Sequence, residues 1–434
     1  MALFPTDALN SGVRKREVFG WAMYDFANSG YTTVVLTAVF NAYFVGVVAG
    51  GAPWATLAWT LTIGASSLLV MLLMPALGAW ADLRAAKKRA LMLTTIGCVA
   101  GTVLLAFVGP GNVALAVAAI VLSNMFYSFG ESLTASFLPE LARLDAIGRV
   151  SGWGWSFGYL GGMLSLGLSL AYVMYAQGRG DPATHFVPVT MMITAAVYGL
   201  ASILTFVLLR ERAVPQPQSS ASRGGVRASL ARLRATWRRA RNFRDFTWLL
   251  ACASCYQAGI FVVIALAAVY AEQALGFAQT QTMMLVFMVN IASAVGAFAF
   301  GYWQDRIGHK RALAITLVGW VVMTVLAMLA TGPGLFWVAA VIAGLCMGSS
   351  QSAGRALAGL FAPPAQLGEF YGLWTFATRL SAIVGPVTYG VVTVLTSGNH
   401  RLAILSTALF FLGGLALLAP IDVTRGTKAA RQNA

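Results

Sequence analysis

Charge is scarce in this sequence. Only 10% of its 434 residues are Asp, Glu, Lys or Arg, against about a quarter in a soluble domain. Acidic residues are scarcer still, 14 against 29 basic ones, which leaves a formal charge of +15. So little polar surface excludes an ordinary soluble fold. The three histidines, His185, His309 and His400, fall between apolar runs, so no histidine proton relay inside the membrane is expected. The four cysteines, Cys98, Cys252, Cys255 and Cys346, sit inside apolar runs, where cysteine behaves as a small hydrophobe and a disulfide framework is not expected. Cys252 and Cys255 form a C-x-x-C without a second ligand pair, too little for a metal or redox site. Nucleotide P-loop, H-E-x-x-H and dinucleotide fingerprints are missing too. ATP-driven transport and membrane-protease chemistry therefore lack support; the chain does not read as an enzyme, and no cofactor or metal is expected.

What the chain has is apolar length. Its residues are 59% hydrophobic with a mean hydropathy of +0.75, and runs such as Trp54 to Ala81 and Leu91 to Val108 can cross a bilayer as helices at about 1.5 Å per residue. A transmembrane β-barrel would alternate polar and apolar residues and is excluded. Breaking the chain at Gly, Pro and charge clusters gives twelve spans, roughly 18–48, 54–80, 89–109, 112–136, 150–176, 187–209, 244–272, 279–303, 311–331, 334–360, 368–397 and 400–420. Arg14, Lys15 and Arg16 before the first run imitate a signal peptide, but no short apolar core or small-residue cleavage site follows and Asp25 interrupts it, so a retained first helix is expected. Of the 29 Lys and Arg, 25 fall on one side of the expected membrane, two on the other and two within spans. The positive-inside rule then places both termini in the cytoplasm, and a bacterial inner membrane is the expected location.

The expected fold class is an all-α membrane protein of twelve transmembrane helices in two six-helix halves, 1–209 and 244–434, joined by a basic linker at 210–243. The connection from Arg210 to Arg244 carries ten arginines, with Val226, Leu230, Leu233 and Trp237 at helical spacing among them. That pattern predicts an amphipathic helix on the membrane surface, with anionic lipids rather than nucleic acid as its partner.

An internal repeat organises the halves. Gly78-Ala-Trp-Ala-Asp82-Leu-Arg84-Ala-Ala-Lys87-Lys88-Arg89 follows span two, and Gly301-Tyr-Trp-Gln-Asp305-Arg306-Ile-Gly308-His-Lys310-Arg311 follows span eight. Equivalent loops of two halves carrying one motif are expected of a transporter with parallel repeats. The Gly permits close helix approach, the Asp sits at a helix end, and the cations can bridge the Asp, neighbouring helix ends and headgroups. This loop resembles the signature G-x-x-x-D-R/K-x-G-R/K-R/K of the major facilitator superfamily. The first copy departs from it, with Leu83 at the first cation position and Ala in place of Gly.

A narrower resemblance rests on further residues. Trp21-Ala-Met-Tyr24-Asp25-Phe26-Ala27-Asn28-Ser29 resembles the W-A-x-Y-D-x-A-N-S start of the vacuole-effluxer-like, autophagy-related branch. Phe137-Leu138-Pro139-Glu140, Ser151-Gly152 with Gly158-Tyr159-Leu160-Gly161-Gly162, and Gln351, Arg355, Glu369, Phe370, Gly372, Gly385 and Pro386 are similar to its patterns after helix four and in helices five, ten and eleven. The resemblance implies an export carrier; characterised eukaryotic relatives release neutral amino acids from the vacuole. Helix five lacks the proline-containing pattern of drug–proton antiporters.

Ionisable residues inside a membrane are costly and mark function. Four fall within spans: Asp25, Glu131, Arg355 and Arg379. Asp25, with Tyr24 and Asn28 nearby, binds a coupling proton or a substrate amine, or pairs with a cation. Arg379, close to the midplane, holds a substrate carboxylate or pairs with Asp25 or Glu131. Glu131, with Tyr127 one turn earlier, accepts a proton or joins a gate ion pair. Arg355 contacts substrate or snorkels to headgroups. Gln257 and Gln351 are polar candidates of the second half; Tyr256 and Asn290 face the cavity or bond between helices. Trp153 and Trp155, two apart, cannot share a helix face, so at most one faces a central cavity. Asp82, Lys88, Arg89, Asp305, Arg306, Lys310 and Arg311, with Gly78, Gly301 and Gly308, make up the expected gate. The functional expectation is a monomeric secondary transporter exporting a small amino-acid-like solute against protons by alternating access. Multidrug or lipid export is the alternative, and a non-transporting receptor or scaffold a second one.

Overall fold

The computed structural model describes residues 4–215, 243–275, 277, 279–397 and 400–432. In hydrocarbon a chain must satisfy its backbone hydrogen bonds internally, and the apolar runs accordingly form long helices. These are α1 (Lys15–Val48), α2 (Ala55–Leu83), α3 (Lys87–Leu105), α4 (Val113–Ala135), α5 (Ile147–Gly178) and α6 (Ala183–Leu208). The second half holds α7 (Arg244–Leu275), α8 (Gln279–Ile307), α9 (His309–Leu329), α10 (Pro333–Phe361), α11 (Leu367–Leu395) and α12 (His400–Leu418), and a short α13 (Val423–Gln432) follows. Each of the twelve expected spans lies on one of these helices, with ends shifted by at most four residues. Among the described residues, eleven segments are long and apolar enough to cross a membrane; α11, 29 residues long, completes the twelve. The chain is an integral, multi-pass membrane protein. Leucines such as Leu57, Leu61, Leu164 and Leu409 are exposed on the outside of the bundle, where acyl chains replace water. Trp54 and Trp303 are exposed near helix ends, as an interfacial belt requires, whereas Trp59 packs on Phe40 and Phe44.

One expected regular helix is irregular. Tyr31–Ala38 and Phe44–Val48 within α1 are π-helical, and the Val39 amide donates to the Val34 carbonyl five residues back. Wide turns are rare and tend to accompany function. Threonine hydroxyls cover carbonyls there: Thr33 donates to Ser29 and Thr37 to Thr32.

The halves meet along α2 with α11 and α5 with α8. Among the described residues, the hydrogen bonds between halves run from the end of the bundle that carries the two termini to mid-helix, where Ser156 donates to the Ala294 carbonyl and Arg379 to Glu131. At the termini-bearing end, the Asn10 amide and side chain bond to the carbonyls of Leu141, Pro139 and Glu140, lacing residues ahead of α1 to the loop before α5. Asp245 at the start of α7 holds α13, accepting from the Asp422 amide at 2.8 Å and twice from Arg425, at 2.6 and 2.8 Å. Gly426 and Ala430 are buried under α7 and α10 while Arg425, Lys428 and Arg431 face out. The expected amphipathic helix of the linker, Val226 to Trp237, lies outside the described residues.

Candidate functional site

The repeated motif works through its two aspartates. α5 begins after Ala146, which has no side-chain acceptor for the free amides of the first turn. The missing cap comes from the other half. Asp305, at the end of α8, accepts from the amides of Gly148 (2.9 Å) and Arg149 (3.0 Å), and from Arg149 Nε at 3.2 Å. Asp82, at the end of α2, accepts from Gly368 (3.0 Å) and Glu369 (2.9 Å) at the start of α11. These are the second and third amides of each helix, the groups an N-cap side chain would take, and the carboxylate also meets the positive end of the helix dipole. Glycine makes the approach possible. A Cβ on Gly78 would run into the Gly368 backbone, and one on Gly301 would meet Gly148 and Gly152.

The motif cations do not bridge these aspartates, contrary to expectation, because backbone amides already occupy both carboxylate oxygens. They staple each half to itself instead. Lys88 Nζ donates to the Leu209 carbonyl at 2.5 Å, just past α6, and Lys310 Nζ to the carbonyls of Ala419 and Ile421, both at 2.7 Å, just past α12. Arg89, Arg306 and Arg311 are exposed. Gly308 adopts φ +92°, and at the matching position Ala85 adopts φ +48°, a left-handed geometry that costs an ordinary residue about 1–2 kcal/mol. Ala85→Gly should therefore raise the melting temperature in detergent, and an unchanged or lower value would show that Ala85 is not strained.

Asp82→Asn and Asp305→Asn each remove a charge-assisted cap worth about 1–3 kcal/mol. Both should open the termini-bearing end. A single cysteine at Ser132, in a background without the native cysteines, should react faster with a membrane-impermeant thiol reagent applied from that end, and unchanged labelling would remove the aspartates from the gate.

Further in, two ion pairs cross between halves. Arg355 Nη1 of α10 lies 2.6 Å from Asp25 Oδ2 of α1. Its Nε and Nη2 donate to the hydroxyl (3.2 Å) and carbonyl (2.7 Å) of Ser151 on α5, and Tyr371 donates to its carbonyl. Arg355 is 6% exposed, so it does not snorkel: its α10 face turns into the seam, where Asp25 supplies the counter-charge. Arg379 Nη2 of α11 lies 2.7 Å from Glu131 Oε2 of α4. Its guanidinium rests 5.9 Å from the Tyr127 ring, which stacks on Tyr31. Arg379 Nε is buried without an acceptor, so one donor of the fork is unused.

The remaining candidates divide. Asn28 is buried on α1, three residues beyond Asp25. Tyr24 does not join Asp25: consecutive helical residues point about 100° apart, and its hydroxyl is bonded to Thr95 and Tyr198 inside the first half. Gln257 donates to Gln351 at 2.8 Å, within the second half, one turn along α10 from Arg355. Tyr256 is fully buried, and Asn290 donates back to its own helix at Val286. Of the two tryptophans at the start of α5, Trp153 turns to Tyr302 of α8 and to Phe4, while Trp155 covers Arg355. Trp21 and Trp155 emerge only in three dimensions as part of this arrangement.

Comparison with known proteins fits this geometry. The model of the family described as "Vacuole effluxer Atg22 like" matches residues 45–431. The chain belongs to that family. An "Uncharacterized MFS-type transporter YxiO" of Bacillus subtilis is 25% identical over 95% of this chain and 96% of its own length. Autophagy-related protein 22-1 of Penicillium rubens is 24% identical over 69% of the chain, which spans about half the length of such fungal relatives. Among solved structures, the proton:xylose symporter XylE superposes with a TM-score of 0.73 at 15% identity, covering 96% of this chain and 98% of that one. The human organic anion transporter MFSD10 gives 0.71 at 15% identity, covering 93% and 99%. The Atg22-like chain thus has the major facilitator fold and is a transporter, not an enzyme.

Proposed function

We propose that this Atg22-like protein exports a small, amino-acid-like solute from the cytoplasm, driven by protons, by rocking halves 1–209 and 244–434 about the two ion pairs. The observation that carries the reading is the crossing itself: Asp25–Arg355 and Glu131–Arg379 each join one half to the other, so halves that separate must break or replace both. Protons can neutralise the carboxylates, and a zwitterion offers Arg379 a carboxylate and Glu131 an ammonium in exchange. The excess of cations at the termini-bearing end supports a cytoplasmic location for that end, which makes the capped conformation outward-facing. A bacterial inner membrane suits the relationship to YxiO, and proton coupling suits the fold shared with the proton:xylose symporter XylE. The carrier works as a monomer, with the arginine-rich linker and the outer face of α13 resting on anionic headgroups.

The test is flux. Purified protein in proteoliposomes, given a pH gradient and a mixture of radiolabelled neutral amino acids, should move label in a gradient-dependent way that cold amino acids compete. Movement of lipophilic cations alone would replace this reading with drug export. Saturable binding with no flux under any gradient would replace it with a receptor.

A further inference from the structure

The two ion pairs are unequally open. Glu131 keeps 35% of its side-chain surface accessible and Arg379 11%, against 10% for Asp25 and 7% for Arg355. The inner pair is closed off by two indoles. Trp21 lies four residues before Asp25 on α1, one turn nearer the cytoplasmic end; Trp155 lies four residues after Ser151 on α5, one turn nearer the midplane. Since Arg355 is bonded to both Asp25 and Ser151, its guanidinium sits between the rings, 4.9 Å from the Trp21 centroid and 5.2 Å from that of Trp155.

The indoles are held differently. Trp21 is fully buried and its Nε1 donates to the Thr134 carbonyl at 2.8 Å. Trp155 is half-buried, and its Nε1 has no hydrogen-bond partner. Ring contacts with Arg355 and Tyr159 hold it, and cation–π contacts of this kind are weak enough to exchange. The lower ring is pinned by a hydrogen bond; the upper one has none and rests on its ring contacts. Other charged and titratable groups near Asp25 are Glu131 and Tyr127 from α4 and Tyr24 from its own helix, with Arg379 of α11 beyond Glu131. On α5, Ser151, Gly154, Trp155 and Gly158 lie against the pair, and Tyr159 next to Trp155 is the ionisable group within reach of Arg355; on α11, Tyr371 donates to the Arg355 carbonyl.

We propose that Trp155, seated on the Arg355 guanidinium, is a stopper over the Asp25–Arg355 pair, which bars protons from that pair until solute has engaged Glu131 and Arg379. A proton entering from outside bonds to the Asp25 carboxylate as the bond to Arg355 breaks, and leaves to the cytoplasm when that bond re-forms. Trp155 is a positioning residue that keeps this cycle from running without cargo. The proposal rests on the proton-coupled reading above.

The experiment follows proton entry into proteoliposomes loaded with a pH-sensitive dye, with charge clamped by potassium and valinomycin. Without amino acids the wild type should be as tight as protein-free vesicles; with neutral amino acids loaded inside, it should admit protons. Trp155→Ala should leak without amino acids, by tenfold or more over wild type, and Trp155→Phe should restore tightness because the ring is kept. Trp155→Leu supplies the readout if the alanine variant does not assemble. Adding Asp25→Asn should abolish the leak. A tight Trp155→Ala beside a coupled wild type overturns the stopper alone, as does a leak that survives Asp25→Asn. A wild type with amino-acid flux but no proton movement overturns proton coupling and the stopper with it.

Discussion

Arg355→Ala should destabilise the protein by about 3–5 kcal/mol, the loss expected when a buried ion pair is broken from one side. Asp25 is only 7% exposed, so no water replaces the guanidinium, and the two ring contacts and the Ser151 bonds disappear with it. Removing both charges is different, because well-packed neutral residues at a buried pair are often neutral or stabilising. Asp25→Asn/Arg355→Met should recover most of the melting temperature lost in the single variant but not proton-driven flux. Equal destabilisation of single and double variants would show that Arg355 acts by packing rather than by charge.

Arg379→Ala should do the reverse, leaving the fold intact and abolishing transport. Its partner Glu131 remains accessible enough to be hydrated or protonated once alone, so the stability change should stay near the 0–1 kcal/mol of a solvated pair. The loss falls on binding, because Arg379 offers Nε and Nη2 as a fork that matches a carboxylate. Arg379→Lys keeps the charge and loses the fork, so it should not restore flux. Amino-acid flux at the wild-type level in either variant, measured in proteoliposomes, would take Arg379 out of the site.

Hydropathy was enough to find twelve helices, because a bilayer tolerates no other folding of such runs. The repeat was legible for a similar reason: Gly and Asp recur at fixed spacing where two helices must cross closely. What Asp82 and Asp305 grip was not legible, since backbone amides carry no sequence signature and lie more than 150 residues away in the chain. Arg379 showed itself by depth alone, whereas Arg355 lies near enough to the end of α10 to suggest snorkelling; its burial follows from convergence with Asp25, 330 residues earlier. Tyr24 misled because adjacency in sequence is not adjacency on a helix face. The π turns of α1 are written in a stretch, Tyr31-Thr-Thr-Val-Val-Leu-Thr-Ala38, that reads as any apolar run.

The borrowed caps divide the gate into parts of unequal mutability. The amides that the carboxylates hold are peptide backbone, which every residue type except proline supplies, so side-chain changes at Gly148, Gly368 or Glu369 cannot erase those donors, and a change at Arg149 removes only its Nε contact to Asp305. The giving side is a single carboxylate in each half. Tuning of the gate by substitution therefore falls on two positions, Asp82 and Asp305, or on an indirect route: a serine or aspartate at position 146 would cap α5 from within its own half and leave Asp305 a competitor for amides already taken.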